Sequence, residues 1–147
     1  MGNSKNTVKI IKKGRHIGAQ VEGIDISKSI DQSAFKIIED AFVENEVLFF
    51  RNQQITSDEQ IKFAENFGKL SIHPFSPNSE KIPELIIFDN DGDNPPFGTD
   101  CWHSDETFRE APPMATILHG LIIPEIGGDT VFASMTASYE GLSDKMK

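Results

Sequence analysis

The stretch WHSDETF (residues 102–108) places a histidine and an aspartate two positions apart, with a tryptophan directly before the histidine and a phenylalanine three positions after the aspartate. In a β-strand, side chains two positions apart point to the same face. His103 and Asp105 can therefore direct one imidazole nitrogen and one carboxylate oxygen to a common point, with Ser104 turned away. Such a pair indicates a metal site, a general acid/base pair or an ordinary polar turn.

A metal bound by this pair keeps open coordination positions. One further histidine would complete the 2-His-1-carboxylate triad typical of non-haem Fe(II) oxygenases. Zinc more often recruits additional histidines or cysteines, whereas Cys101 is the single cysteine and no HExxH spacing occurs. The residues favour iron, and a zinc or manganese site stays an alternative. An isolated His-x-Asp triplet is a weak signal that occurs most often in surface turns.

The composition limits the classes of protein to which the chain can belong. The chain has 147 residues, 37% of them apolar and 25% charged, which fits one domain or part of a larger one. Eleven phenylalanines predict a phenylalanine-rich core. The formal net charge of -9 argues against a nucleic-acid partner, because phosphate neutralisation needs clustered Lys and Arg. A single cysteine and an N-terminus without a long apolar stretch predict a cytoplasmic protein without a membrane partner.

Local patterns predict the elements of the N-terminal half. Apolar side chains at three- and four-residue spacing place Phe35, Ile38 and Phe42 on one helical face, and a second stripe runs from Ile61 to Phe67. The predicted elements are strands at 8–11, 17–26 and 47–50, a helix capped near Asp31 or Ser33, and a helix with a Thr56–Glu59 capping box that ends at Gly68.

Prolines punctuate the chain beyond residue 70. They separate short apolar runs at 85–88, 116–123 and 130–134. This texture predicts an α+β, mainly β fold, with an antiparallel sandwich or jelly roll and flanking helices. The last residues, from 136 onward, read as the start of a helix. A jelly roll needs about eight strands and about six candidates are present, so we expect the C-terminal part of the fold to lie in a longer protein.

Trp102-His103-Ser104-Asp105, followed by Thr107-Phe108, resembles the WH(S/T)D-x-(T/S)F signature of the taurine dioxygenase and 2,4-dichlorophenoxyacetate dioxygenase family. These enzymes are Fe(II)- and 2-oxoglutarate-dependent dioxygenases with a double-stranded β-helix (jelly-roll) core. Further segments resemble the family in the same order along the chain: IGAQ (17–20) with Gly23, VLFFR (47–51), FGKL (67–70), HP (73–74), DNPP (93–96) and GGDT (127–130). The resemblance implies that residues 1–147 form the N-terminal part of a single dioxygenase domain.

The resemblance also implies roles for individual residues. His103 and Asp105 would be two of the three iron ligands and thus the catalytic pair, and Thr130 would contact the carboxylate of 2-oxoglutarate. His73, Thr99 and Glu106 would lie at the substrate. The last two depart from taurine dioxygenase itself, which has asparagine and valine there. A Glu106 carboxylate aimed at a sulfonate would repel it, which argues against taurine as the substrate.

The activity implied is hydroxylation of a small organic acid, such as a sulfonate, a sulfate ester or an aryloxyalkanoate. It consumes O₂ and 2-oxoglutarate and forms succinate and CO₂, and a homo-oligomer is compatible with it. The alternative is a truncated, non-catalytic fragment or interaction module, because no histidine or arginine follows His119 to supply the third iron ligand and the cosubstrate arginine. Around the pair, Trp102 and Phe108 are expected to pack, and Cys101 is expected to be buried.

Overall fold

The computed structural model describes residues 7–76, 78–89 and 101–147. The chain divides into two compact units. The first unit combines residues 1–59 with residues 120–147, and the second comprises residues 60–119.

A three-stranded sheet forms the centre of the first unit. It consists of β1 (Lys9–Lys12), β2 (Ala19–Glu22) and β3 (Leu48–Phe50), in the spatial order β1-β2-β3. β1 pairs antiparallel with β2, whereas β3 pairs parallel to β2. A parallel pair needs a crossover connection, which helix α1 (Gln32–Asn45) supplies. The three predicted N-terminal strands are confirmed, although each is shorter than, or shifted slightly from, its apolar run.

The core of this unit lies between β2 and one face of α1. Alternation along β2 buries Ala19 and Val21 and leaves the alternate polar residues half-buried. On α1 the buried stripe passes through Ile38, while Phe35 and Phe42 are only half-buried at its sides. The predicted face was thus correct at Ile38 and wrong by one position on either side. The buried residues of α1 are Ala34, Ile38, Ala41 and Asn45.

The core is aliphatic rather than phenylalanine-rich, which corrects the prediction from composition. Small side chains such as Ala19 and Ala41 allow the helix to approach β2 and β3 closely, and the rings of Phe35 and Phe42 stay half-buried. Phe63 is the buried phenylalanine of the described ranges. The buried apolar residues are Ala19, Val21, Ile24, Ile26, Ala34, Ile38, Ala41 and Phe63.

Both predicted helix caps are present. The Asp31 carboxylate accepts a hydrogen bond from the Ala34 amide at 2.9 Å and starts α1. Helix α2 (Ser57–Glu65) begins with a reciprocal capping box. The Thr56 amide donates to Glu59 Oε2 at 2.7 Å, and the Glu59 amide donates to Thr56 Oγ1 at 3.3 Å.

The end of α1 also anchors the last helix. Glu46 adopts a φ of 62° that stops α1, and its amide donates to the Phe42 carbonyl. Its carboxylate accepts a hydrogen bond from buried Ser134 at 2.9 Å. Ser134 in turn caps helix α3 (Met135–Glu140) by accepting from the Ala137 amide. The helix expected near residue 136 is confirmed.

An ionised turn follows β2. The Asp25 carboxylate accepts from the Lys28 ammonium at 2.6 Å and from the hydroxyl and amide of Ser27. These contacts lower the pKa of Asp25 to about 2, with the Lys28 hydrogen bond as the main cause and Ser27 as the next. The charged form of Asp25 is therefore favoured in the folded chain.

The later apolar runs do not form the antiparallel strands predicted for them. In the run 85–88 a single bridge joins Asn78 to Ile86, and the described runs 116–123 and 130–134 belong to no strand. β-propensity provides suitable side chains but no ladder partner, and a strand needs both. The described helices have 14, 9 and 6 residues and the strands 4, 4 and 3, so this part of the chain is not mainly β.

None of the helices in the described ranges is long and apolar enough to cross a membrane.

Candidate metal centre

The proposed metal-binding pair, His103 and Asp105, lies beside a turn rather than on a strand. Residues 105–108 turn back on themselves, and the Arg109 amide donates to the Glu106 carbonyl at 3.0 Å. Glu106 has a φ of 47°, a left-handed conformation that is uncommon for a residue other than glycine. No strand forms at these residues, and His103 and Asp105 nevertheless lie close together, as the spacing predicted.

The two side chains converge on one point. His103 Nε2 lies 3.3 Å from Asp105 Oδ1, and the two side chains are 64% and 54% exposed. Two ligands at about 2.1 Å from an octahedral ion, and at right angles to each other, lie about 3.0 Å apart. The pair therefore fits adjacent positions on one divalent cation that is reached from solvent.

A backbone carbonyl fixes the tautomer of His103. Its Nδ1 lies 2.9 Å from the carbonyl oxygen of Cys101, which can only accept a hydrogen bond. Nδ1 must therefore carry the proton in the neutral ring, which leaves the lone pair of Nε2 free to bind a metal. Metal-binding histidines commonly have such a hydrogen bond on their second nitrogen.

The Asp105 carboxylate is oriented in the same way. Thr116 Oγ1 donates a hydrogen bond to Asp105 Oδ2 at 2.7 Å. Because this bond occupies the oxygen that faces away from His103, Oδ1 is left for a cation. Among the residues that the structure describes, no group of three or more His, Cys, Asp or Glu side chains could hold a metal ion. The described part therefore offers His103 and Asp105 as two candidate ligands.

His73 lies in the same unit as His103 and Asp105, and its hydrogen bonds define which ring nitrogen carries the proton. Its Nδ1 is 3.2 Å from the Phe75 amide, which must donate, and 2.8 Å from the Ser76 hydroxyl. Nδ1 is therefore an acceptor, and in the neutral ring the proton resides on Nε2. An imidazole of this tautomer can donate a hydrogen bond to an anionic oxygen.

Ring contacts and a hydrogen bond from Arg109 connect the segment around His73 with the turn. The ring of Phe108 lies 6.0 Å from that of His73 and 5.7 Å from that of Phe75, both edge to face. Arg109 pairs with Glu106, and its Nη2 donates to the Ile72 carbonyl at 2.9 Å. The Glu106 carboxylate is thus neutralised by a neighbouring cation.

Thr99 and Thr130 are the other predicted site residues. Thr99 lies outside the described residues, as does the 93–96 segment. Thr130 belongs to the first unit, where it is exposed and follows Gly127 and Gly128, both with φ above 70°. The second unit holds His73, His103, Asp105 and Glu106.

Around the metal-binding pair, two expectations about burial fail and two contacts were missed. Cys101 and Trp102 are both exposed, so the first is not a buried side chain and the second does not close the site. Arg109 could have been found from its i,i+3 spacing to Glu106. Thr116 lies 11 residues from Asp105 and gives no local signal.

Known proteins resemble the chain over nearly its whole length. The profile of the "Taurine catabolism dioxygenase TauD, TfdA family" matches residues 9–147. An alkylsulfatase of Acinetobacter baylyi is 41% identical over 146 residues, which cover 99% of this chain and 45% of the relative. An alpha-ketoglutarate-dependent sulfate ester dioxygenase of Pseudomonas putida is 35% identical over 133 residues, or 89% and 43% of the two chains.

Solved structures give the same result. A protein of Burkholderia xenovorans assigned as an alpha-ketoglutarate-dependent taurine dioxygenase has a TM-score of 0.83 at 30% identity, covering 95% of this chain and 51% of that one. AAD-2, in complex with Mn(II) and N-oxalylglycine, has a TM-score of 0.69 at 28% identity, covering 95% and 48%. The chain thus spans about half the length of the curated relatives and of these structures. The family profile covers all but the first residues, and the chain belongs to the taurine catabolism dioxygenase TauD, TfdA family.

Proposed function

We propose that the chain is the N-terminal part of an Fe(II)- and 2-oxoglutarate-dependent dioxygenase that hydroxylates a small organic acid. The observation that carries this proposal is the convergence of His103 Nε2 and Asp105 Oδ1 at 3.3 Å, with the second nitrogen of His103 hydrogen-bonded to a carbonyl. One nitrogen and one oxygen on adjacent positions fit two thirds of the facial triad of non-haem iron oxygenases.

The residues proposed to hold the cofactors are taken from this pair and, for Thr130, from the family resemblance. His103 and Asp105 would bind Fe(II), and Thr130 would contact the carboxylate of 2-oxoglutarate. A histidine and an arginine from the remainder of a longer protein would complete both sites within a jelly-roll core. With Fe(II), 2-oxoglutarate and O₂ bound, the metal centre would supply the oxidant, and the proposed coproducts are succinate and CO₂. The complex of AAD-2 with Mn(II) and N-oxalylglycine, an analogue of 2-oxoglutarate, supports this cofactor set.

The substrate class follows from the site and from the relatives. His73 presents an Nε2–H donor that suits a sulfate, sulfonate or carboxylate oxygen, and Thr99 and Glu106 would flank the substrate. The Glu106–Arg109 pair offsets the negative charge that would otherwise repel such an anion. The relatives are named as an alkylsulfatase and a sulfate ester dioxygenase, so we place alkyl sulfate esters first, ahead of taurine-like sulfonates and aryloxyalkanoates. The proposed location is the cytoplasm.

The test is turnover by the full-length protein that carries residues 1–147. Anaerobically purified protein is supplied with Fe(II), 2-oxoglutarate and either hexyl sulfate, taurine or 2,4-dichlorophenoxyacetate, and succinate is measured. Hydroxylation at the carbon that bears the sulfate ester yields an aldehyde and releases sulfate, which gives a second readout. We expect both succinate and sulfate to form from hexyl sulfate. The absence of succinate with all three substrates would refute the proposal.

Matched variants connect this activity to the metal-binding pair. Asp105→Asn keeps the shape of the side chain but removes the charge that a cation requires, so turnover and Mn(II) binding should both be lost. Asp144→Asn makes the same change at an exposed position near the C-terminus and should leave both unchanged. Equal activity of the two variants would contradict a ligand role for Asp105.

The second candidate is a non-catalytic fragment or interaction module. It is favoured by the absence of a third ligand among the described residues and by the coverage of 45% of the alkylsulfatase. A stable, folded protein of this length that binds neither Mn(II) nor 2-oxoglutarate would establish this alternative.

A further inference from the structure

Arg109 ties together two chain segments that carry different parts of the candidate site. Segment 72–76 contains His73, and segment 103–109 contains the metal-binding pair. The guanidinium donates from Nη2 to the Ile72 carbonyl at 2.9 Å, across 37 residues of sequence. This carbonyl is one residue before the proposed substrate-binding imidazole, so the hydrogen bond acts directly on the backbone of His73.

The other side of the guanidinium is held by Glu106. Arg109 Nε donates to Glu106 Oε2, and the two side chains are only 32% and 11% exposed. Water therefore competes weakly for this ion pair, and removal of one partner would leave a shielded charge. The planar guanidinium can contact a carboxylate and a carbonyl at the same time, whereas a lysine ammonium lacks this fork geometry.

Ring packing makes the connection rigid. Phe108 lies edge to face against both His73 and Phe75, and the guanidinium carbon of Arg109 lies 5.6 Å from the centre of the Phe108 ring. The two segments are thus joined by the hydrogen bond from the Arg109 side chain to the Ile72 carbonyl and by edge-to-face ring contacts, while the ion pair with Glu106 holds the guanidinium within its own segment. His73 cannot shift relative to the turn at 105–108 without disturbing these contacts.

We propose that Arg109 is a positioning residue for substrate binding, which holds His73 at a fixed distance from the His103–Asp105 pair while it neutralises Glu106. This inference rests on the proposed function, because it takes His73 as the donor to the anionic end of the substrate. It also explains how a carboxylate is tolerated at position 106 in a site for anions. Arg109 itself touches neither the metal-binding atoms nor the Nε2 of His73 in this arrangement.

The experiment compares three variants in the full-length protein. Arg109→Met removes the cation and both hydrogen bonds, and Arg109→Lys keeps the charge but not the fork. Arg51→Met is the matched control, because Arg51 also lies 5.6 Å from a phenylalanine ring, that of Phe49, but belongs to the first unit. Melting temperatures of all four proteins show whether each is folded.

We expect Arg109→Met to raise KM for hexyl sulfate about tenfold, the effect of losing a charge-assisted hydrogen bond, with kcat changed less than about threefold. Arg109→Lys should restore only part of this loss, and Arg51→Met should match the wild type. The Kd of Mn(II) should be the same in all four proteins. A KM of Arg109→Met within twofold of the wild-type value would overturn the proposal. A loss of Mn(II) affinity together with a lower melting temperature would also overturn it.

A readout without turnover separates this proposal from the proposed function. Hexyl sulfate is titrated into metal-free protein, and the ring signals of His73 are followed by NMR. Saturating shifts in the wild type and weaker binding by Arg109→Met support the positioning role, even if the wild type produces no succinate. If the wild-type His73 signals do not respond to hexyl sulfate, the positioning role is refuted, whatever the enzyme does with 2-oxoglutarate.

Discussion

Replacement of Thr116 by valine should weaken metal binding although it changes neither of the two proposed metal ligands. Valine keeps the branched shape of threonine and removes only the hydroxyl that donates to Asp105 Oδ2 at 2.7 Å. Without this bond the carboxylate can rotate, so Oδ1 no longer stays on the side of His103 Nε2. The cation would then have to order the carboxylate as it binds.

The magnitude follows from the charge and exposure of Asp105. Hydrogen bonds to charged groups contribute about 1.5–3 kcal/mol, and the lower end applies because the Asp105 side chain is 54% exposed and water can replace the hydroxyl. A loss of about 1.4 kcal/mol is a factor of ten in Kd. This factor agrees with the lower end of the range of roughly 10–100-fold by which metal affinity falls when a residue hydrogen-bonded to a metal ligand is lost.

The assay is a titration of the full-length protein with Mn(II), followed by the decrease in the EPR signal of free Mn(II). Thr136→Val makes the same substitution at an exposed position of α3 and serves as the control. We expect the Kd of Thr116→Val to rise about tenfold and that of the control to stay constant. Identical Kd values for Thr116→Val and the wild type would refute the idea that this hydroxyl orients the carboxylate.

Three further predictions concern stability. Ile38→Ala should lower the free energy of unfolding by about 2–5 kcal/mol because it leaves a cavity between α1 and the sheet, whereas the half-exposed neighbour Ile37 should tolerate alanine; similar denaturant midpoints for both would contradict the described core. Asp25→Asn should lower the melting temperature at pH 6. The pKa of Asp25 in the folded chain, about 2, is below the usual value of about 3.9, so the stabilisation by ionised Asp25 is present above a pH of about 3.9 and is lost as the pH falls through 2. The melting temperatures of wild type and variant should therefore converge near pH 2. A difference in melting temperature that stays constant with pH would contradict this prediction. Residues 1–147 expressed alone should self-associate through side chains such as Ile122 and Ile126, which are 92% and 93% exposed, and the double serine variant should scatter less light; a monodisperse wild-type monomer with a cooperative melt would disprove this.

Signals that act within a few residues predicted most of the elements between residues 7 and 59 of the first unit. The caps at Asp31 and Thr56 depend on side chains that reach backbone amides three positions away, so the sequence contains all the required information. The choice between Phe35 and Ala34 as the buried neighbour of Ile38 is different. It depends on how closely α1 approaches β2, and hydrophobicity alone favours the larger ring, which the structure leaves half-buried.

The candidate site shows the same division. The spacing of His103 and Asp105 predicted their convergence, although a turn and not a strand produces it. The contacts that orient them come from distant positions: Thr116 is 11 residues from Asp105, and Arg109 reaches the Ile72 carbonyl across 37 residues. Such pairings depend on tertiary folding, and the residue types involved are common on any protein surface.

The hydrogen bond between His103 and the Cys101 carbonyl makes position 101 a suitable place to attach a probe. Since the acceptor for His103 Nδ1 is a backbone atom, the side chain at position 101 can be changed without removal of the hydrogen bond. The thiol is exposed and is the single cysteine of these 147 residues. A thiol-reactive spin label or fluorophore would therefore attach at one defined point, two residues from the proposed metal ligand, where it could report cation arrival by distance-dependent broadening or quenching.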